Sequence, residues 1–353
     1  MTPERKRKML KGAALAVAVL VTAGCFMAVP WIGRALPASF GAFLTMTPLQ
    51  PTIPVLRPEP EPHESPLWSE SSEESLPEEE SEEESLPPPP PEDAITVLAG
   101  SYCWYEAHET PTLDLMNKTN YKVDVGSFLE KDFPITPSTE EGPLVLIVHT
   151  HGTEAYLPRG VDYYLPEEDF RSEDPRETVV AVGNAIAETL ESLGIGVVHD
   201  PTMHDAESFN YAYVHSAAAV ETYLEAYPSI RYVLDVHRDS IFDGNGVCGK
   251  TLTAVDGKET AQVMLVVGTD ESGSAHPAWR KNLTVAAYLE ERLNRFYPTL
   301  ARPVNLREHG FNQWLSPGSL IVEVGSCGNT VEEALTAGEF FARAFAVLVK
   351  ETG

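Results

Sequence analysis

The chain has 353 residues, with 53 acidic side chains against 25 basic ones and a formal net charge of −28. That balance argues against nucleic-acid binding, which needs a basic footprint, but leaves room for a polymer bound in a groove through local contacts. The length suits one sizeable domain with accessories, or two small domains.

The first eleven residues, MTPERKRKMLK, hold five Lys or Arg and one acid. Gly12 to Gly33 then carries no charge, and those 22 residues as a helix reach about 33 Å, enough for a bilayer core of about 30 Å. This predicts a single transmembrane anchor over 12–33, a cytoplasmic basic tail over 1–11, and the rest of the chain outside the cell membrane. A cleaved signal peptide would have a shorter apolar core and a small-x-small cleavage site, and none follows. TAGC, ending at Cys25, faintly resembles a lipoprotein signal, yet the chain stays apolar beyond it (FMAVPWIG). Residues 34–93 read as a tether. Arg57 to Asp93 contains fourteen acids and one Arg among many Pro and Ser, too little apolar surface to offset ordering entropy. Its closing PPPPP predicts stiff polyproline II.

Residues 94–142 form a weakly patterned lead-in, and 143–353 a domain of alternating strands and helices. Strands are predicted at Pro143–His149, Ile195–Asp200, Arg231–His237, Gln262–Gly268 and Ser319–Gly325, from short runs rich in β-branched residues. Helices are predicted at Thr178–Gly194, Tyr211–Pro228, Asn282–Pro298 and Thr330–Glu351, with Gly or Pro stops. Such alternation implies an α/β fold with a mixed, largely parallel sheet covered by helices on both faces. Outside the anchor lie Cys103, Cys248 and Cys327. Their odd number and irregular spacing give no metal knuckle, and leave Cys103–Cys248 and Cys248–Cys327 both open as a single bridge.

In open α/β sheets, ligands bind beyond the carboxyl ends of strands. Three predicted strand ends carry candidates: VLIVHTHGTEAYLP with His149, His151 and Glu154, VLDVHRDS with His237, and LIVEVG with Glu323. Imidazoles with a carboxylate make up the ligand set of catalytic zinc, which keeps one position open for water. His149 and His151 would share one face of an extended strand. Asp235 and Asp239 either join the site or orient His237 and Arg238. Glu323, inside an apolar run, is either paired with an Arg or functional. His199 and His204 could line the same cleft. Asn117 and Asn282 match the short glycosylation acceptor pattern. These features point to a metal-dependent hydrolase without naming its substrate.

The order VLIVHTHGTEAYLP, HDPTMHDAESFNYAY, VLDVHRDS, FNQWLSPGSLIVEVGSCGNTVEEAL resembles the stage II sporulation protein P family over roughly residues 95–350. The resemblance implies a zinc-dependent N-acetylmuramoyl-L-alanine amidase, with an endopeptidase activity also attributed to the family. It implies action on peptidoglycan during forespore engulfment, beside stage II sporulation proteins D and M. Residue by residue, His151 and His237 resemble the zinc histidines and Glu323 the catalytic glutamate. For the acidic zinc ligand the resemblance points to the region of Asp174 and Glu177, with Glu154 as the rival in the more distinctive motif and the preferred candidate. Arg238 would help stabilise the oxyanion, and Asn312 and Gln313 would contact substrate or support the ligands. Two other readings belong to different classes: a catalytically silent peptidoglycan-binding scaffold, and a zinc carboxypeptidase or deacetylase on the same polymer.

Overall fold

The apolar runs become strands, and the 3.6-period runs become helices. In the computed structural model, which describes residues 89–101 and 113–352, the elements follow in this order. The lead-in gives β1 (Ile95–Thr96), β2 (Leu98–Gly100) and β3 (Leu115–Asn117). Then come β4 (Val145–Val148), β5 (Tyr163–Tyr164), α1 (Val179–Ser192), β6 (Val197–His199) and α2 (Ala212–Ala226). β7 (Tyr232–Asp239), β8 (Gly249–Val255), β9 (Lys258–Ala261) and β10 (Val263–Gly268) precede α3 (Trp279–Phe296), β11 (Val304–Arg307), β12 (Gly318–Ser326) and α4 (Val331–Thr352). The expected basic tail and anchor lie outside the described residues, as do nearly all of the tether, Cys25 and Cys103. Among the described residues no helix is long and apolar enough to cross a membrane.

Seven strands form the main sheet in the order β3-β11-β10-β12-β7-β4-β6. β6, β4, β7 and β12 run parallel to one another, β10 opposes β12, and β11 and β3 follow β10. The sheet is therefore mixed, as the sequence pattern suggests. β8, β9 and β11, polar or short, are additions that the hydrophobic pattern does not reveal. The lead-in is woven in: β1 pairs with β5, β2 with β8, and β3 forms one edge of the main sheet.

Successive strand residues face opposite sides. Val145, Ile147, Leu234, Val236, Leu320, Val322 and Val324 pack in one large core with α1, α3 and α4. Leu146, Val148 and Val233 face the other way, against Val220 and Tyr223 of α2. Phe341 and Phe345 of α4 are fully buried, and each contributes about 2–3 kcal/mol by leaving water. Thr178 starts α1 by accepting the Val180 amide at 3.3 Å, closing one of the helix's free N–H groups. On the α2 side, the same alternation places Asp235, His237, Ile321 and Glu323. Two of these lie side by side, since Glu323 of β12 is the register partner of His237 of β7.

Candidate metal centre

The chain leaves β4 after Val148 and turns at once. The Glu154 amide donates to the His151 carbonyl at 3.1 Å, so the turn brings side chains three residues apart together. His151 Nδ1 lies 3.6 Å from Glu154 Oε1, and His237 Nδ1 lies 3.3 Å from Glu154 Oε2. Ligand atoms of His151, Glu154 and His237 all lie within 4.8 Å of one another. Two imidazoles and a carboxylate in this space are a donor set that fits zinc.

Neighbouring groups hold the cluster in place. Asp235 Oδ1 lies 2.9 Å from His237 Nε2, a short contact set off the ideal hydrogen-bond line. It attracts the Nε2 proton and turns Nδ1 towards Glu154, the arrangement of a ligand histidine with a carboxylate behind it once Nδ1 gives up its proton. Asp235 is itself fixed by the Thr150 amide (2.8 Å) and hydroxyl (2.6 Å). The Arg238 amide donates to Glu154 Oε2 at 3.1 Å. Burial alone would push His237 down, but the Asp235 and Glu154 carboxylates outweigh it and hold its pKa well above the usual value. Burial likewise opposes ionisation of Glu154, yet the His151 and His237 imidazoles beside it keep its carboxyl well below the carboxylate range. Without a metal the cluster is thus a proton-bridged ion pair, and a dication can take the proton's place.

Glu323 stands beside this cluster. Its Oε2 is shut off from solvent without a hydrogen-bond partner. Burial pushes its pKa up to about 8; His237 draws it back, and Asp239 and Glu154 add to the rise. Arg302 pairs with Asp239 at 2.8 Å nearby, a buried cation that the sequence pattern does not single out.

Other candidates lie elsewhere. His149 does not share a face with His151, because the strand ends at Val148, ahead of both, and the chain turns. Its ring enters the α1 side of the sheet, with Nδ1 3.0 Å from the Val236 carbonyl and Nε2 2.7 Å from His199 Nε2. His199 also reaches Asn184 at 3.0 Å. Burial lowers the two imidazoles to about 3 and about 4. His204 lies 3.6 Å from Asp200, outside the cluster. Asp174 is taken by Arg176 at 2.5 Å and Glu177 by the Ser172 hydroxyl at 2.8 Å. Neither rival of Glu154 joins the cluster.

The Arg238 guanidinium does not face it either. It donates to the carbonyls of Ala155 (3.0 Å) and Phe170 (2.8 Å) and to the Ser240 hydroxyl (2.8 Å), stapling the loop that carries Glu154. Gln313 is spent on the Gly268 amide and Val266 carbonyl, while Asn312 donates to the Tyr213 carbonyl (2.7 Å) and to the Ser216 hydroxyl (3.1 Å), which bonds Thr150 behind Asp235. Asn282 is buried and donates to three carbonyls, those of Gln313, Ser316 and Ser319, so it is a fastener rather than a glycosylation acceptor. The aromatic lining was not foreseen. The exposed Phe209 ring stacks on His151 at 4.5 Å, and Tyr213 meets it edge-on at 5.5 Å. The run FNYAY, with an aromatic at every second position, is the only signal of it.

A family profile described as stage II sporulation protein P (SpoIIP) matches residues 59–346. Stage II sporulation protein P of Bacillus subtilis (strain 168) is 29% identical over 227 residues, 61% of this chain and 53% of that protein. The chain thus spans about half the length of the curated relative it matches. Among solved structures, the CwlD amidase from Clostridioides difficile in complex with the GerS lipoprotein is 14% identical, with a TM-score of 0.38 over 60% of this chain and 98% of that one. N-acetylmuramoyl-L-alanine amidase AmiC2 of Nostoc punctiforme is 14% identical, with a TM-score of 0.34 over 59% and 96%. Likeness this slight supports no conclusion about chemistry.

Proposed function

Since the chain belongs to the stage II sporulation protein P family, we propose that it is a zinc-dependent peptidoglycan hydrolase acting as an N-acetylmuramoyl-L-alanine amidase, with endopeptidase action on cross-linked stems as a second activity. The observation that carries this reading is the His151–Glu154–His237 cluster with Glu323 in register beside it. His151, Glu154 and His237 would hold zinc, and Glu323 would handle the proton. The proposed setting is the outer side of a cell membrane, reached by the anchor over 12–33 and the tether over 34–93, during forespore engulfment beside stage II sporulation proteins D and M.

When bound, zinc supplies Lewis acidity towards a carbonyl and acidifies a water molecule. The chain supplies the rest. Glu323 takes the water's proton and delivers it to the departing amine, since an amine leaves poorly unless protonated. Its burial, which lifts the pKa to about 8, suits a group that must both accept and release a proton near neutrality. Asp235 orients His237, and the Arg238 staple keeps Glu154 in place. Phe209 and Tyr213 offer apolar walls around His151.

The test is mass spectrometry of purified peptidoglycan digested by the full chain in mild detergent, with and without a chelator. Stem peptides freed from glycan should appear, vanish with chelator and return with zinc. Glu323→Gln should lower the rate at least about 100-fold with unchanged zinc content. Loss of terminal D-Ala or of acetate with intact glycan–stem bonds would replace the amidase reading with a carboxypeptidase or deacetylase. An intact wall after zinc loading and addition of protein D would leave a binding protein.

A further inference from the structure

Cys248 immediately precedes β8, and Cys327 immediately follows β12. Both are fully buried, and their sulfurs lie 2.8 Å apart. A bond between them needs an approach of only about 0.8 Å, to the disulfide length of about 2.05 Å. We propose that Cys248 and Cys327 are joined by a disulfide in the mature protein, and that this bridge clamps the turn at the end of the Glu323 strand. The inference goes beyond the hydrolase reading, and leans on its extracytoplasmic setting only for the source of oxidant.

The backbone on both sides is already held without the sulfurs. The Cys248 amide donates to the Tyr164 hydroxyl at 3.0 Å, and the Cys327 amide to the Asp239 carbonyl at 3.0 Å. The Ser326 hydroxyl donates to the Gly249 carbonyl at 2.7 Å. Asn329 binds Thr251 in both directions, accepting from its amide at 3.1 Å and donating to its carbonyl at 2.9 Å. The two thiols therefore meet across a seam that other bonds keep closed. The same seam holds Asp239, partner of Arg302, and lies four residues from Glu323.

The two sulfurs are also unequal. Cys327 is held down to about 7 by the hydrogen bond from Cys248, with burial opposing and the Arg238 charge assisting. The same contact, with burial, raises Cys248. That inequality belongs to the pair of free thiols; once one of them, here Cys248, is held in a mixed disulfide, the other attacks as a thiolate. A disulfide reagent, whether an oxidoreductase or glutathione disulfide, first exchanges with Cys248 and releases one thiol. The Cys327 thiolate then attacks the Cys248 sulfur and expels the second. Two protein thiols lose two protons and two electrons, and the reagent's disulfide is reduced to two thiols. Full burial bars a reagent from the folded protein, so exchange must precede closure, and the finished bridge must resist reductant until the fold opens.

The experiment maps thiols on the full chain refolded in detergent with glutathione disulfide, trapped with N-ethylmaleimide under denaturing conditions and digested without reduction. A linked Cys248–Cys327 peptide is expected, surviving dithiothreitol in native buffer and opening when denaturant is added. The Cys248→Ala, Cys327→Ala double variant should melt about 5–10 °C lower than the oxidised chain. If both thiols carry maleimide after refolding, or Cys103 is linked to either, the proposal is overturned, whether or not the variant folds. Thiol mapping does not depend on hydrolysis, so a failed digestion assay would leave this result standing.

Discussion

Asp235 serves two partners at once, with the His237 imidazole on one oxygen and the Thr150 hydroxyl on the other. Burial opposes its ionisation, but His237 and Thr150 hold its pKa at about 2, so it stays charged throughout the working range. Asp235→Asn keeps the shape and removes the charge. Zinc affinity should fall about 10- to 100-fold, measured by competition with a chelating dye, while the melting profile without metal changes far less. An unchanged affinity would show that His237 needs no carboxylate behind it. Individual residues were legible where type and position coincide: His151 follows β4, and His237 and Glu323 lie near the ends of β7 and β12, whose apolar runs announce them. Glu154 was legible only as one of several acids, because a turn formed through the His151 carbonyl selects it. Arg238 and Gln313 turn their side chains to backbone groups, while Asn312 reaches the Ser216 hydroxyl that bonds Thr150 behind Asp235. Sequence gives the donor, but only packing shows that backbone carbonyls use it up.

At the scale of elements, α1 reaches the sheet at Gly183. A Cβ there would sit 2.5 Å from His149 Nε2 and 2.8 Å from His199 Nε2. Alanine would gain about 1 kcal/mol of helix propensity, but would drive into a buried imidazole pair at about 1–3 kcal/mol. Gly183→Ala should therefore lower the melting temperature by a few degrees, and an unchanged or higher value would mean that the pair can shift without loss. Long elements were legible, since α1 to α4 and the strands carrying the site are apolar and periodic. β8 (GKTLTAV) and β9 (KETA) were not, because their polar residues take register from neighbouring strands rather than from their own pattern. His149 leaves the face expected of it for a related reason: the alternation of β4 sends it to the α1 side, where it meets His199.

Across the whole molecule, the His149–His199 pair ties stability to pH. Both imidazoles have folded pKa values below the usual 6.5 of a free histidine, at about 3 and about 4. The unfolded chain therefore binds protons first as pH falls. The pair's contribution is complete above pH 6.5 and is lost on acidification towards the folded values, at about 2 kcal/mol per histidine by pH 5. Denaturant melts at pH 7 and pH 5 should show the loss, and His199→Gln should roughly halve the slope assigned to the pair; an equal slope would place the effect elsewhere. The chain's arithmetic also sets what lengths it can tolerate. Glu323 and His237 are register partners, while Val322 and Val324 point into the core. The extra residue of β12 falls between Glu323 and Ser326, where Gly325 takes a φ of 67°, downstream of the glutamate. One residue gained or lost upstream within β12 would trade a carboxylate for a valine and bury the charge. Descendants of this gene can lengthen their loops freely, but within these strands they can count only in twos.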